Sequence, residues 1–135
     1  MTKPDNPGQG QAPQRREMGD RANILVKEDS DDGGVYLYSH WGGTELPLAL
    51  QNALKKKWRW DDCAYLTRII FDTMSMGCHG DETGCGISAR VGDGGDRILI
   101  VEVERQQVRN EQGVAHWTFS EYIELTPEQI KKVWA

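Results

Sequence analysis

Gly34-Val35-Tyr36-Leu37-Tyr38-Ser39-His40-Trp41-Gly42-Gly43, continued by Thr44-Glu45-Leu46-Pro47, joins a strand to a helix and sets the frame for the chain around it. Val35, Leu37 and Ser39 alternate with Tyr36, Tyr38 and His40, the two-residue period of an extended segment with two faces. From Leu46 the spacing changes to Leu46, Leu50, Ala53, Leu54 and Trp58, which is helical. Thr44 is the expected N-cap, and Pro47 is tolerated in a first turn that has no intrahelical N–H bonds to lose. Gly42 and Gly43 therefore precede a helix N-terminus, where exposed N–H groups and the helix dipole favour an anion. Glycine at such a joint also serves simply to reverse the chain.

Upstream, Ala22 to Lys27 reads as a strand with Ile24 and Val26 on one face, returned through Asp29-Ser30-Asp31-Asp32-Gly33-Gly34 as a hairpin. The aspartates lack the later ligands and closing glutamate of a calcium-binding loop, so the turn is read as a solvated tip. Residues 1–17 contain three of the five prolines and no large apolar residue between Met1 and Met18, so they are expected to be a disordered tail. Residues 18–135 are expected to form a single domain, with Met18 as a natural start.

Downstream, Lys55-Lys56-Lys57-Trp58-Arg59-Trp60 is basic and aromatic together. Lysines at a helix C-terminus complement its dipole while the tryptophans pack on the sheet, and that reading is preferred to a phosphate-contacting patch. Asp61 or Asp62 caps a second helix with Leu66, Ile69, Ile70, Thr73 and Met74 as its apolar stripe, ended by Gly77. A third strand enters at Gly86, and Arg97 to Glu104 forms the clearest strand, continuing toward Arg109. Val114 to Glu124 is read as a further strand, whose exposed edge would let a second copy pair as a homodimer. Thr126-Pro127-Glu128-Gln129 is a capping box that starts a terminal helix. The expected fold is therefore α+β in the order ββααβββα. Its sheet is mainly antiparallel, with about five strands and two or three helices on one face.

Composition limits the function classes. The chain has 135 residues, 38% of them hydrophobic, and a net charge of -5. That acidity disfavours a dedicated nucleic-acid binder, which would carry a basic surface. No apolar run approaches the roughly 20 residues that span a bilayer, and no signal-peptide core is visible, so no membrane partner and a cytoplasmic location are expected. Cys63, Cys78 and Cys85 cannot all pair within one chain, and reduced thiols are expected.

Two constellations could carry chemistry beyond the opening stretch. Cys78, His79 and Cys85 offer three soft ligands to zinc, with His40 or Asp81 as a fourth, but the spacing is not that of a standard zinc site. No cofactor is predicted on that basis. Cys85 with His40 would make a cysteine hydrolase only if the fold brought the two side chains together.

Met18-Gly19-Asp20-Arg21-Ala22-Asn23-Ile24, Tyr36 to Gly43, Arg59-Trp60-Asp61-Asp62, Tyr65 to Phe71 and Glu82-Thr83-Gly84-Cys85-Gly86-Ile87-Ser88 together resemble a family of small uncharacterised proteins of bacteria, archaea, phages and plasmids. The resemblance spans most of residues 18–104 and implies no activity. It does imply that a start at Met18 is natural, and it suits an accessory factor of mobile elements.

A hairpin of the Ala22 to Lys27 strand with the strand from Val35 would place Arg21 and Asn23 beside His40 and Trp41, with Gly42 and Gly43 at the same end of the sheet. A small anionic or nucleotide-like ligand would meet a guanidinium, a flat aromatic and free N–H groups there. Asp61, Asp62 and Glu82 are the acidic candidates for that end, as acid or base groups or as partners for Arg21. The expected function is a soluble binding or interaction protein that engages such a ligand or a protein partner around His40. The alternative is a small hydrolase or transferase in which His40, oriented by Asp62 or Glu82, acts as acid or base.

Overall fold

The structure, a computed structural model, describes residues 19–135; the expected tail, residues 1–17, lies outside the described residues. Strands β1 (Ala22–Lys27), β2 (Val35–Ser39), β3 (Cys85–Ser88), β4 (Ile98–Glu102), β5 (Gln107–Asn110) and β6 (His116–Thr118) form one sheet in the order β3-β2-β1-β4-β5-β6. Helices α1 (Leu46–Lys55), α2 (Cys63–Met74), α3 (Phe119–Ile123) and α4 (Pro127–Lys131) complete the α+β domain.

The period-two pattern of β1 sends Ala22, Ile24 and Val26 to one face, where they meet Leu37, Leu99, Val101 and Val108 of the neighbouring strands. Leu50 and Leu54 of α1, Leu66 and Ile70 of α2, Phe119 and Tyr122 of α3 and Ile130 of α4 close over the same cluster. All four helices therefore lie on one side, the two-layer solution for a sheet with one apolar face. The opposite face carries a smaller cluster of Leu25, Ile98 and Ile100 with Tyr36 packed against it.

The sheet departs from the expected antiparallel one of about five strands. It has six strands and is mixed, because β1 and β4 run parallel at its centre with Ile24 opposite Leu99. Each half is an antiparallel unit, β3-β2-β1 and β4-β5-β6; hairpin-length links join β1 to β2, β4 to β5 and β5 to β6, whereas β2 reaches β3 through α1 and α2. The halves join through two strands with apolar runs, Ile24 to Val26 and Ile98 to Val101, and no turn signal in the sequence specifies that long-range pairing. The link from β3 to β4 leaves Ser88, opposite Tyr36, and passes to the start of β1, where Gly94 lies against Arg21 and Ala22, instead of making a hairpin.

Two element boundaries also differ. The strand from Arg97 does not run on to Arg109: it stops at Glu102, and Gln106, at φ 53°, turns the chain back into β5. The expected strand from Val114 to Glu124 is a three-residue strand followed by α3. The Thr118 hydroxyl accepts from the Glu121 N–H while the Glu121 carboxylate accepts from the Thr118 N–H, and this capping box overrides the alternation of the flanking residues. The edge offered to a second copy is correspondingly short.

The hairpin tip binds itself. Asp29 Oδ1 accepts from the Asp31 and Asp32 N–H groups, and Asp32 accepts from Glu28 and Gly34. Trp60 packs edge-on against Phe119 and donates to the Leu54 carbonyl, whereas Trp58, expected in the core, is exposed beside Lys56.

Candidate functional site

The antiparallel register sets Ala22 against Ser39 and Asn23 against Tyr38, so the first residues of β1 lie next to the last residues of β2. His40 follows immediately. Its backbone N–H donates to the Gly84 carbonyl at 2.9 Å, which ties it to the entrance of β3, and its carbonyl accepts from the Asp20 N–H at 2.7 Å. A third element arrives from the β3–β4 link. Gly94, at φ +77°, runs so close to the start of β1 that a Cβ there would come within 3.0 Å of Arg21 and Ala22 backbone atoms. That approach brings Asp93 to the same corner.

The His40 ring is held from several sides. Its Nδ1 lies 2.7 Å from the Tyr38 hydroxyl and 3.4 Å from Arg21 Nε. A guanidinium only donates, so this contact selects the tautomer with the proton on Nε2. Trp41 meets the imidazole edge to face at 4.2 Å between centroids, and its own ring is exposed. Asp93 is 3.9 Å from Arg21 Nε.

Burial, together with the Arg21 charge, holds the His40 imidazole below its ordinary value, against a weaker opposing pull from Asp93. Burial and Asp93 push the Tyr38 phenol up, partly offset by Arg21. At neutral pH the corner is thus a neutral imidazole, a neutral phenol, one guanidinium and one carboxylate.

The imidazole, the phenol and Asp93 border a cleft of about 380 Å3 lined by Tyr38, His40, Trp41, Thr83, Gly84, Cys85 and Asp93, and Arg21 stands beside His40 outside that lining. Its size lies within the range of small-molecule sites.

Of the residues singled out in the sequence, Arg21, His40 and Trp41 meet at this corner, and Asn23 lies one strand position further along the same face. Gly42 and Gly43 have another role. Asp20 occupies the position an external anion would take at the helix N-terminus: its carboxylate accepts from the Thr44 N–H at 3.0 Å and the Thr44 hydroxyl at 2.9 Å, and pairs with Arg97. Thr44 is therefore not the helix cap, and a short 3-10 turn, Gly43–Glu45, leads into α1 instead. Gly43 is buried, donating to the Asp20 carbonyl and accepting from Trp134 Nε1.

Asp62 does not join the corner. It caps α2 by accepting from the Tyr65 N–H, and Glu28 and Asp32 of the β1–β2 turn act on the adjacent Cys63, so this helix start lies at the other end of the sheet. Glu82 is exposed in the loop before β3 and makes no hydrogen bond to His40.

The cysteines correct the expectation of reduced thiols: Cys78 and Cys85 are joined as a disulfide, leaving Cys63 free. The sulfurs that would have held zinc with His79 are bonded to each other, and among the described residues no group of three or more His, Cys, Asp or Glu side chains is placed to hold a metal ion. Cys85 lines the cleft but carries no thiol to act as a nucleophile. Among the described residues no helix is long and apolar enough to cross a membrane.

Tyr38, Asp93 and Arg97 were not singled out in the sequence. Tyr38 shares the strand face of His40, so its alternation was a usable signal. Asp93 and Arg97 reach the site through the β3–β4 crossing, which no local pattern announces. The chain matches no family model, no curated protein and no solved structure in the three comparisons made.

Proposed function

We propose that the protein is a small-ligand binding module whose cleft beside His40 takes a small anionic, nucleotide-like molecule. Trp41 supplies a flat apolar wall, His40 Nε2–H a fixed donor, and Arg21, behind His40 and outside the lining, the positive charge. The observation that carries this reading is the engagement of His40 Nδ1 by Tyr38 and Arg21 at the border of an open cleft. An imidazole locked in one tautomer and held neutral recognises a ligand by direction.

The hydrolase or transferase alternative has less support. Neither Asp62 nor Glu82 bonds to His40, and Asp93, the acidic group in the cleft, meets Arg21 instead. Binding also suits an accessory factor of a phage or plasmid, the setting carried over from the sequence resemblance.

Native mass spectrometry of the full chain purified from cells tests the reading. The expected result is a co-purifying small molecule that is lost in the His40→Ala and Arg21→Ala variants. A protein partner bound in stoichiometric amount, with no small molecule and no dependence on these residues, would replace it with an interaction protein.

A further inference from the structure

A second cleft of about 420 Å3 shares Tyr38 and Asp93 with the His40 cleft, and Asn23, Tyr36, Ser88 and Arg90 also line it. Strand register builds its floor. Asn23 lies opposite Tyr38, Leu25 opposite Tyr36, and Tyr36 opposite Ser88, so Asn23, Tyr36, Tyr38 and Ser88 share the face turned away from the helices.

Asn23 is the anomaly in this floor. It is 1% exposed, and its Nδ2 donates to the Asp93 carbonyl at 2.9 Å, while its Oδ1 has no hydrogen-bond partner. The Asp93 carbonyl can only accept, so the amide cannot be turned around to exchange the two atoms. Native proteins rarely keep a buried amide oxygen without a donor. Asn23 lines the cleft with Tyr36 and Tyr38, and its Oδ1 is buried beneath that floor. At the rim, Arg90 forms no ion pair with another described residue.

We infer that this second cleft is the ring subsite of the ligand site, taking a flat heterocycle whose N–H donates to Asn23 Oδ1, as the edge of a nucleobase can. Tyr36 and Tyr38 supply the aromatic surface for the ring, and Arg90 the charge for an anionic group on the same ligand. The inference rests on the reading of the His40 cleft as a ligand site and specifies the chemistry of the bound molecule. The two clefts share Tyr38 and Asp93, so one ligand of mononucleotide size can contact both.

The test uses the full chain with the four ribonucleoside 5′-monophosphates, plus purine riboside 5′-monophosphate, whose base carries no N–H donor, and ribose 5-phosphate. Affinity is read by calorimetry, and the Asn23 side-chain amide is followed by NMR. At least one of the four nucleotides should bind and shift the Asn23 amide signals. Purine riboside 5′-monophosphate and ribose 5-phosphate should bind at least about tenfold more weakly, as expected when a site built around a hydrogen bond loses its donor. Asn23→Leu should lose the same factor for the nucleotide and leave ribose 5-phosphate unchanged. Tyr36→Leu, which leaves the Asn23 amide in place, should also weaken the nucleotide and covers the case in which Asn23→Leu does not fold.

Equal binding of purine riboside 5′-monophosphate and the best nucleotide would overturn the inference. So would Asn23 amide signals that stay fixed under all six compounds, as when a bound water already satisfies Oδ1. Movement of His40 and Trp41 signals without Asn23 would sink the ring subsite alone and leave the His40 cleft as the ligand site.

Discussion

The Asp20 carboxylate and Thr44 are joined twice, through the Thr44 N–H at 3.0 Å and the Thr44 hydroxyl at 2.9 Å. The segment just ahead of β1 thereby supplies an anion to the helix that follows β2, and Arg97 from the β3–β4 crossing neutralises it. Arg97 also donates to the Arg21 carbonyl and lies over the Trp134 ring, so four distant parts of the chain meet at one ion pair. This knot fixes the backbone of Arg21 and hence the guanidinium that faces His40.

Burial works to raise the Asp20 carboxyl, but the hydrogen bonds from Arg97 and Thr44 and the Arg97 charge outweigh it, leaving the group below its ordinary value. A carboxylate lowered in the folded state adds stability above its unfolded pKa of about 3.9, and that stability is lost as pH falls through the folded value. Asp20→Asn should cost about 1–3 kcal/mol at pH 7, the range for a hydrogen bond to a charged group, reduced by partial exposure. The difference from the wild type in urea unfolding should shrink below pH 4.

Gly43 separates packing from the conformational freedom that the sequence suggests for a Gly-Gly pair. A Cβ there would lie 2.5 Å from the Asp20 carbonyl oxygen and 2.6 Å from the Arg97 guanidinium, whereas at Gly42 the nearest atom is the Ser39 hydroxyl oxygen at 3.1 Å. Gly43→Ala should destabilise by about 1–3 kcal/mol, the usual range for overpacking, and Gly42→Ala by clearly less. Chemical denaturation of the two variants side by side checks the ordering.

His40 should titrate below the ordinary histidine value in an NMR pH series, because burial and Arg21 both oppose its charging. Arg21→Ala should move it up and Asp93→Asn should move it down. The stability sign follows: a histidine lowered in the fold contributes fully above its unfolded pKa of about 6.5, and the contribution is lost as pH falls from there toward the folded value.

Much of this corner was legible in the sequence because its parts are local. The alternation of Val35 to His40 defined β2, the Asp29 to Gly34 turn defined the hairpin, and the hairpin alone puts Arg21 beside His40. The remainder depends on contacts across the chain. Parallel pairing of β1 with β4, the passage of Gly94 over Arg21 and the arrival of Arg97 at Asp20 are set by packing of whole elements, which leaves no short-range signature. The Thr118 to Glu121 capping box was present as a motif, but two-residue alternation around Trp117 and Phe119 masked it. The Cys78–Cys85 pairing was hidden by an expectation drawn from compartment instead of geometry.

The disulfide closes the loop that borders the cleft at Thr83, Gly84 and Cys85. Tethering so short a loop is worth about 2–3 kcal/mol in the chain-entropy account. Cys78→Ser with Cys85→Ser should lower stability by that order, and a reducing agent should lower the wild type similarly while leaving the double variant unchanged. Thermal melts with and without reductant provide the check.

The central claim is that the His40 cleft binds a small molecule, and shift mapping by 1H–15N NMR tests it most directly. Inorganic phosphate and the four ribonucleoside 5′-monophosphates serve as probes, with the Trp41 indole and the His40 imidazole as reporters. Dose-dependent shifts are expected at Trp41, His40 and Gly84 with at least one probe, abolished in Arg21→Ala. Reporters that stay fixed across every probe, or shifts confined to surfaces away from these residues, would contradict the claim.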